Sequence, residues 1–199
     1  MAVNLSKGQK ISLEKEAGGS LTHIVMGLGW DVAQAPKRGG LAGMFGGGGG
    51  SNSVDLDASC VLFDEAGQPL DAVWFQQLTS KDGSIRHTGD NLTGAGDGDD
   101  EQIIVDLSRV PANVKTLMFV VNSFTGQNFS QIENAFCRVV NQGNNQEIAR
   151  YNLSSQGPHT AQIMARLYRH NGEWKMAAIG ESANGRTFQD LMPTMRASL

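Results

Sequence analysis

Hydrophobic and polar residues along this chain alternate with a period of two over many short stretches, the pattern of β-strands that bury one face. Ile11 with Leu13, Thr22 to Met26, Val54 to Phe63, Ala72 to Leu78, Gln102 to Leu107, Val114 to Asn122, Ala135 to Val140 and Glu147 to Leu153 all read this way. Two more strands, near 161–169 and 173–179, flank Asn171-Gly172, a pair suited to the positive φ angles of a type I′ hairpin turn. Helical signals are few: a short turn around Phe129 to Glu133, and a C-terminal stretch from Thr187 that Pro193 interrupts. The pattern predicts an all-β fold, an antiparallel β-sandwich of about ten strands with one or two short helices.

Composition adds a domain count. A chain of 199 residues with 40% hydrophobic content supports a real core, and a single domain over 1–199 is expected. One segment breaks the pattern. Residues 39–53 hold a run of glycines with too few side chains to pack as an element, so a flexible loop is expected there. The loop reads as a tolerated insertion, or as a flap or docking segment through Leu41, Met44 and Phe45; no Gly-Lys-Ser/Thr follows, so it is not a phosphate loop.

The formal net charge of −4 is concentrated. Asp90, Asp97, Asp99, Asp100 and Glu101 crowd a glycine-broken stretch with no lysine or arginine among them, and without these and Asp106 the chain would be net positive. Like charges about 6 Å apart repel by roughly 3 kcal/mol at an effective dielectric near 20, so such a loop must bind cations, protonate or open to solvent. A solvated acidic run would usually carry interspersed lysines, which favours cation binding.

A second acidic pair lies upstream. Strand alternation sets Asp55 and Asp57 on one face and Val54, Leu56, Ala58 and Cys60 on the other, and Asp31 follows an apolar strand, placed to close the same site. Oxygen-only donors on a pliable glycine loop suit a hard cation, and their number suits calcium, with six to eight ligands, better than octahedral magnesium. Asn91 and Thr93 add backbone carbonyls, and two Ca2+ ions are expected. The spacing is not that of an EF-hand.

Other chemistry has weaker support. His87, at the edge of the acidic loop, is either a general base for a metal-dependent phosphoesterase or a residue that orients the loop by hydrogen bonding. His23, His159 and His170 lack zinc-ligand spacing, and Ser59 lacks a nucleophile-elbow context. Cys60 and Cys137 sit in apolar runs and read as buried, reduced thiols, and Trp30, Trp74 and Trp174 read as packing residues. No basic stripe with interleaved aromatics marks a nucleic-acid partner. With neither a signal-peptide h-region nor a membrane span, a cytoplasmic location is expected, with membrane contact peripheral at most, as in calcium-dependent attachment to anionic lipid.

The ordered motifs Gly-Leu-Gly-Trp-Asp31, Asp55-Leu-Asp57-Ala-Ser, Asp82-Gly-Ser-Ile-Arg-His-Thr-Gly-Asp90-Asn-Leu-Thr-Gly-Ala-Gly-Asp97-Gly-Asp99-Asp100-Glu101 and Tyr168-Arg-His-Asn-Gly-Glu-Trp174-Lys resemble the tellurite-resistance TerD family from about Ser6 to Gly180. The glycine-rich insertion before Asp55 departs from the shortest members and looks more like the TerZ-type branch. The resemblance implies a calcium-binding β-sandwich linked to tellurite and general stress resistance, and the leading expectation is a non-enzymatic protein whose calcium-ordered loops form a surface for protein partners of that system. On matching positions it implies a metal site from Asp31, Asp55, Asp57, Asp90, Asp97, Asp99, Asp100 and Glu101, with Asn91 and Thr93 as carbonyl donors.

Overall fold

The computed structural model describes residues 2–32, 55–89, 98–153 and 157–199. In chain order the elements are β1 (Val3–Leu5), β2 (Lys10–Ser12), α1 (Leu13–Ala17), β3 (His23–Val32), β4 (Asp57–Phe63), β5 (Pro69–Val73), β6 (Ile85–His87), β7 (Glu101–Asp106) and β8 (Thr116–Asn122). A 3-10 turn (Phe129–Gln131) then leads to β9 (Ile132–Asn141), β10 (Gln146–Asn152), β11 (Ala161–His170), β12 (Glu173–Ala183) and α2 (Met192–Ala197). The strands form two six-stranded sheets, ordered β1-β10-β9-β3-β7-β6 and β2-β12-β11-β8-β4-β5. Every pairing is antiparallel except β1 with β10. The expected sandwich is what forms.

Its main core lies between the sheets, where Ile24, Met26, Leu28, Ile103, Val105, Leu117, Phe119 and Leu167 are buried. A second, smaller layer covers the outer face of the second sheet: Val61, Phe63, Met118, Val120 and Ile163 pack under Leu191 and Met195. Strands β4 and β8 are therefore buried on both faces along their whole length. This is why they read as nearly continuous apolar runs, while β7 alternates cleanly.

Local chemistry sets several boundaries. Asn171 and Gly172 adopt φ of 53° and 81°, as the hairpin between β11 and β12 demands. Leu13, expected on a strand, instead opens α1, because the Ser12 side chain accepts the Lys15 N–H at 3.3 Å and Gly18 closes the turn at φ 74°. Pro193 does not interrupt the C-terminal helix; it lies in the first turn of α2, where its missing N–H costs nothing. The stretch expected as strand from Ala72 to Leu78 stops at Val73, and the Trp74 and Gln77 backbones bond to each other across a tight turn. The short strands β1 and β6, three residues each, have too little sequence to show a period.

Candidate metal centre

The site starts from two glycines in an otherwise apolar strand. Met26, Leu28 and Trp30 of β3 point into the core, so Gly27 and Gly29 face outward. Residues 98–100 cross directly over them: a Cβ at Gly27 would stand 2.3 Å from the Asp99 carboxyl, and one at Gly29 would stand 2.6 Å from the Gly98 carbonyl oxygen. Glycine is the residue that permits this approach. The crossing segment is pinned through its backbone, as the Asp100 N–H donates to the Leu28 carbonyl at 2.8 Å. The Trp30 N–H in turn donates to Asp100 Oδ2 at 2.7 Å.

The neighbouring carboxylates take different roles. Asp99 is almost fully buried and paired with Arg138 of β9, whose Nε and Nη2 donate to its two oxygens at 2.7 and 3.0 Å, while Gln102 Nε2 donates at 3.0 Å. Arg138 also reaches Glu147, which Arg150 holds from the other side. The cation absent from the acidic run is thus supplied from another strand. At Asp100 burial pushes the carboxyl above the ordinary range, the Trp30 N–H pulls it down, and the nearby charges of Asp31 and Asp99 push it up again. Asp31 is exposed at the end of β3 and accepts a hydrogen bond from Asn134 Nδ2 at 2.8 Å. Trp30, Asp31, Gly98, Asn134, Phe136 and Arg150 line a cleft of about 500 Å³ there.

The other described carboxylates of the set, Asp55, Asp57 and Glu101, lie where β7 faces β4 across the sandwich. Glu101 begins β7 facing inward, is 2% exposed, and bridges the sheets by accepting the Ala58 N–H of β4 at 2.6 Å. Beside it, His87 Nδ1 accepts the Gly89 N–H at 3.1 Å, which leaves the proton on Nε2, facing Glu101 Oε2 at 3.3 Å. Both ring nitrogens are thereby committed, as expected of a histidine that orients the loop. Asp57 pairs with Asn122 on the outer side of the second sheet, one residue from the amide that Glu101 takes, and Asp55 lies half-buried just before it. The described residues bring Asp31, Asp99 and Asp100 together over β3 and Asp57 and Glu101 to adjoining strand ends. Among them no three His, Cys, Asp or Glu side chains converge as a complete metal site. Asp90, Asn91, Thr93 and Asp97, together with the glycine-rich segment at 39–53, lie outside the described residues.

The TerD domain family matches residues 1–194. The chain belongs to the TerD family. It is 51% identical to the tellurium resistance protein TerZ of Serratia marcescens over 189 residues, covering 95% of this chain and 94% of that protein. It is 45% identical to stress response protein SCP2 of Bacillus subtilis, covering 96% and 98% of the two chains. A solved structure of a Streptomyces coelicolor homologue of the telluride resistance protein TerD shares the fold at a TM-score of 0.67 and 18% identity, covering 89% of this chain and 98% of that one. The relatives are named for tellurium resistance or stress response.

In this TerD domain both thiols are sealed in the interior. Cys60 and Cys137 are free and fully buried, and burial pushes the Cys137 thiol up to about 12 and Cys60 higher still. Trp30 and Trp174 are buried in the core, and Trp74 packs edge-on against Phe75 and Phe188. No helix among the described residues is long and apolar enough to cross a membrane. Sequence reasoning missed Arg138, Asn134 and the Trp30 amide as partners of the TerD carboxylates. The one signal that pointed to this crossing was Gly27-Leu-Gly29, since glycines on alternate positions of a strand mark a close approach.

Proposed function

We propose that this TerD-family protein is a non-enzymatic, cytoplasmic calcium-binding protein of tellurite and chemical-stress resistance, in which calcium orders the acidic loops into a surface for protein partners of that system. The observation that carries the reading is the convergence of Asp31 and Asp100 beside the Gly98 carbonyl, where burial and like charge oppose ionisation of Asp100 while Arg138 is already engaged by Asp99. A hard cation relieves that opposition. The donors fit such an ion: they are all oxygens, contributed by carboxylates and a glycine loop, with Gly98 at φ 115°.

Asp31 and Asp100 would hold calcium at this end, with Asp90, Asp97 and the carbonyls of Asn91 and Thr93 completing the coordination. A second ion at the adjoining strand ends would draw on Asp55, Asp57 and Glu101 only together with ligands from the 90–97 stretch, since those three side chains do not themselves converge. Calcium supplies charge neutralisation and cross-linking of loops here. Asp99 supports the loop through Arg138, and His87 supports it through Glu101 and the Gly89 amide. That commitment of both His87 nitrogens weighs against a hydrolytic general base.

The test is calorimetric titration of metal-stripped protein with calcium in millimolar magnesium, followed by thermal unfolding. Binding below millimolar calcium with a raised Tm is expected. Absence of binding by either ion below that concentration overturns the reading.

A further inference from the structure

The outer face of the second sheet carries a cluster of cationic side chains. Register aligns Lys10 with Ala177, Arg166 and Met118 in one cross-strand row, and Ser12 with Lys175, Tyr168 and Thr116 in the next. Directly paired residues share a face, so Lys10, Arg166, Lys175 and Tyr168 project together. The turn after β4 and the end of α2 fold this surface into a cleft of about 460 Å³ lined by Lys115, Arg166, Arg169 and Arg196, with Asp64 and Glu65 on the turn. Leu199 closes one end, its Cδ1 3.0 Å from where a Cβ on Gly67 would stand.

The charges in the cleft are not matched. Arg169 is structural: it donates to the Val110 and Val114 carbonyls at 2.8 and 3.2 Å and stacks on Trp174. Asp64 turns back into its own loop to accept the Gln68 N–H at 2.8 Å, and Glu65 is exposed. Among the described residues Lys115, Arg166 and Arg196 form no ion pair. Arg166 is the most informative, since its guanidinium is partly buried and its contact is the ring of Tyr168 at 4.9 Å. Burial pulls its pKa below the ordinary arginine value, with Tyr168 opposing the shift. Arginine flanked by lysine and a second arginine is a donor set suited to an oxyanion.

We propose that this cleft binds a phosphate-bearing small molecule, with Arg166 as the anchor of the phosphate, Lys115 and Arg196 at its flanks, and the Tyr168 ring against the organic part. The volume lies within the range of small-molecule sites and exceeds what a bare phosphate fills. A nucleic-acid backbone is the poorer occupant, because it requires a continuous basic track and Lys7, next along this face, is already paired with Glu181 at 2.9 Å.

The test uses the full chain in calorimetry and thermal unfolding at constant ionic strength, with inorganic phosphate and adenosine monophosphate as probes and sodium chloride as reference. Both probes are expected to raise Tm above the chloride value, with adenosine monophosphate binding more tightly than inorganic phosphate. Arg166→Gln should weaken that binding at least tenfold. Arg196→Gln, at an exposed position that leaves folding intact, should weaken it severalfold. Equal Tm values in phosphate and chloride, adenosine monophosphate no tighter than phosphate, or unchanged affinity in Arg196→Gln would overturn the proposal. Tighter binding of a single-stranded oligonucleotide, per phosphate, that is lost in the same variants would overturn it in favour of nucleic acid.

Discussion

Asp100→Asn should change stability in opposite directions with and without calcium. Asparagine keeps a side-chain oxygen to accept the Trp30 N–H, now at 2.7 Å, so the hydrogen bond that pins the loop to β3 survives. What disappears is a negative charge beside Asp31 and Asp99. Relief of like-charge repulsion at a partly solvated site is on the order of 1 kcal/mol, so the variant should be more stable than the parent in chelator. With calcium the order reverses. A site with Kd about 10 µM contributes about 2.7 kcal/mol at 1 mM calcium, which is about 5–11 °C in Tm for a chain of this size. Loss of one anionic ligand that weakens binding about tenfold removes about half of that gain.

The same burial and like charges make the stability of the metal-free protein depend on pH. Asp100 has a folded pKa raised above its ordinary 3.8, first by burial and then by its acidic neighbours. The native state therefore holds the proton more tightly than the unfolded chain. The associated stability is fully present below about pH 3.8 and is lost as pH rises through the elevated folded value. Asp100→Asn should thus leave stability nearly unchanged at low pH and exceed the parent above that window. Scanning calorimetry in chelator and in 1 mM calcium, at several pH values, measures every quantity. A variant that is destabilised in chelator yet keeps the full calcium increment would refute the assignment of Asp100 to the cation.

Two further substitutions probe the support of the loop. Gly27→Ala places a Cβ 2.3 Å from the Asp99 carboxyl, which must move off Arg138; a loss of about 1–3 kcal/mol is expected in urea unfolding, and a change near zero would show that the crossing can shift freely. His87→Phe removes the donor facing Glu101 and the acceptor of the Gly89 N–H in a buried setting, at an expected cost of about 1–3 kcal/mol in chelator as well as in calcium. Equal stability of that variant and the parent would sink the orienting role of His87.

Much of the fold was legible because it rests on local rules. The hairpin at Asn171-Gly172, the alternation of β7 and the apolar runs of β4 and β8 each follow from short-range pattern, and the last of these become continuous only because α2 covers the second sheet. The departures were also local, but turned on capping. Ser12 captures the Lys15 amide and converts the expected strand residue Leu13 into a helical one, and Pro193 starts a turn of helix where an interior position would have broken it. In the candidate site, residue types were readable and pairings were not. Arg138 lies 39 residues beyond Asp99 and meets it only because β9 and β7 both pair with β3.

That tertiary pairing changes what the acidic run does. Read along the chain, Asp99 and Asp100 are equivalent carboxylates on one glycine loop. In the folded chain Asp99 is matched by a guanidinium through two hydrogen bonds, and a cation there would have to displace or share them. Asp100, one residue on, accepts a hydrogen bond from the β3 backbone and lies close enough to Asp31 for their charges to oppose each other. The Arg138 pair therefore fixes the loop, and the fixed loop holds Asp100 against Asp31 at a distance their charges oppose. Residual repulsion of this kind, imposed by neighbours that are themselves satisfied, would give a hard cation a differential affinity for the ordered loop over the open one. A bound cation would then be linked to the loop's conformation, and so to whatever surface that loop presents.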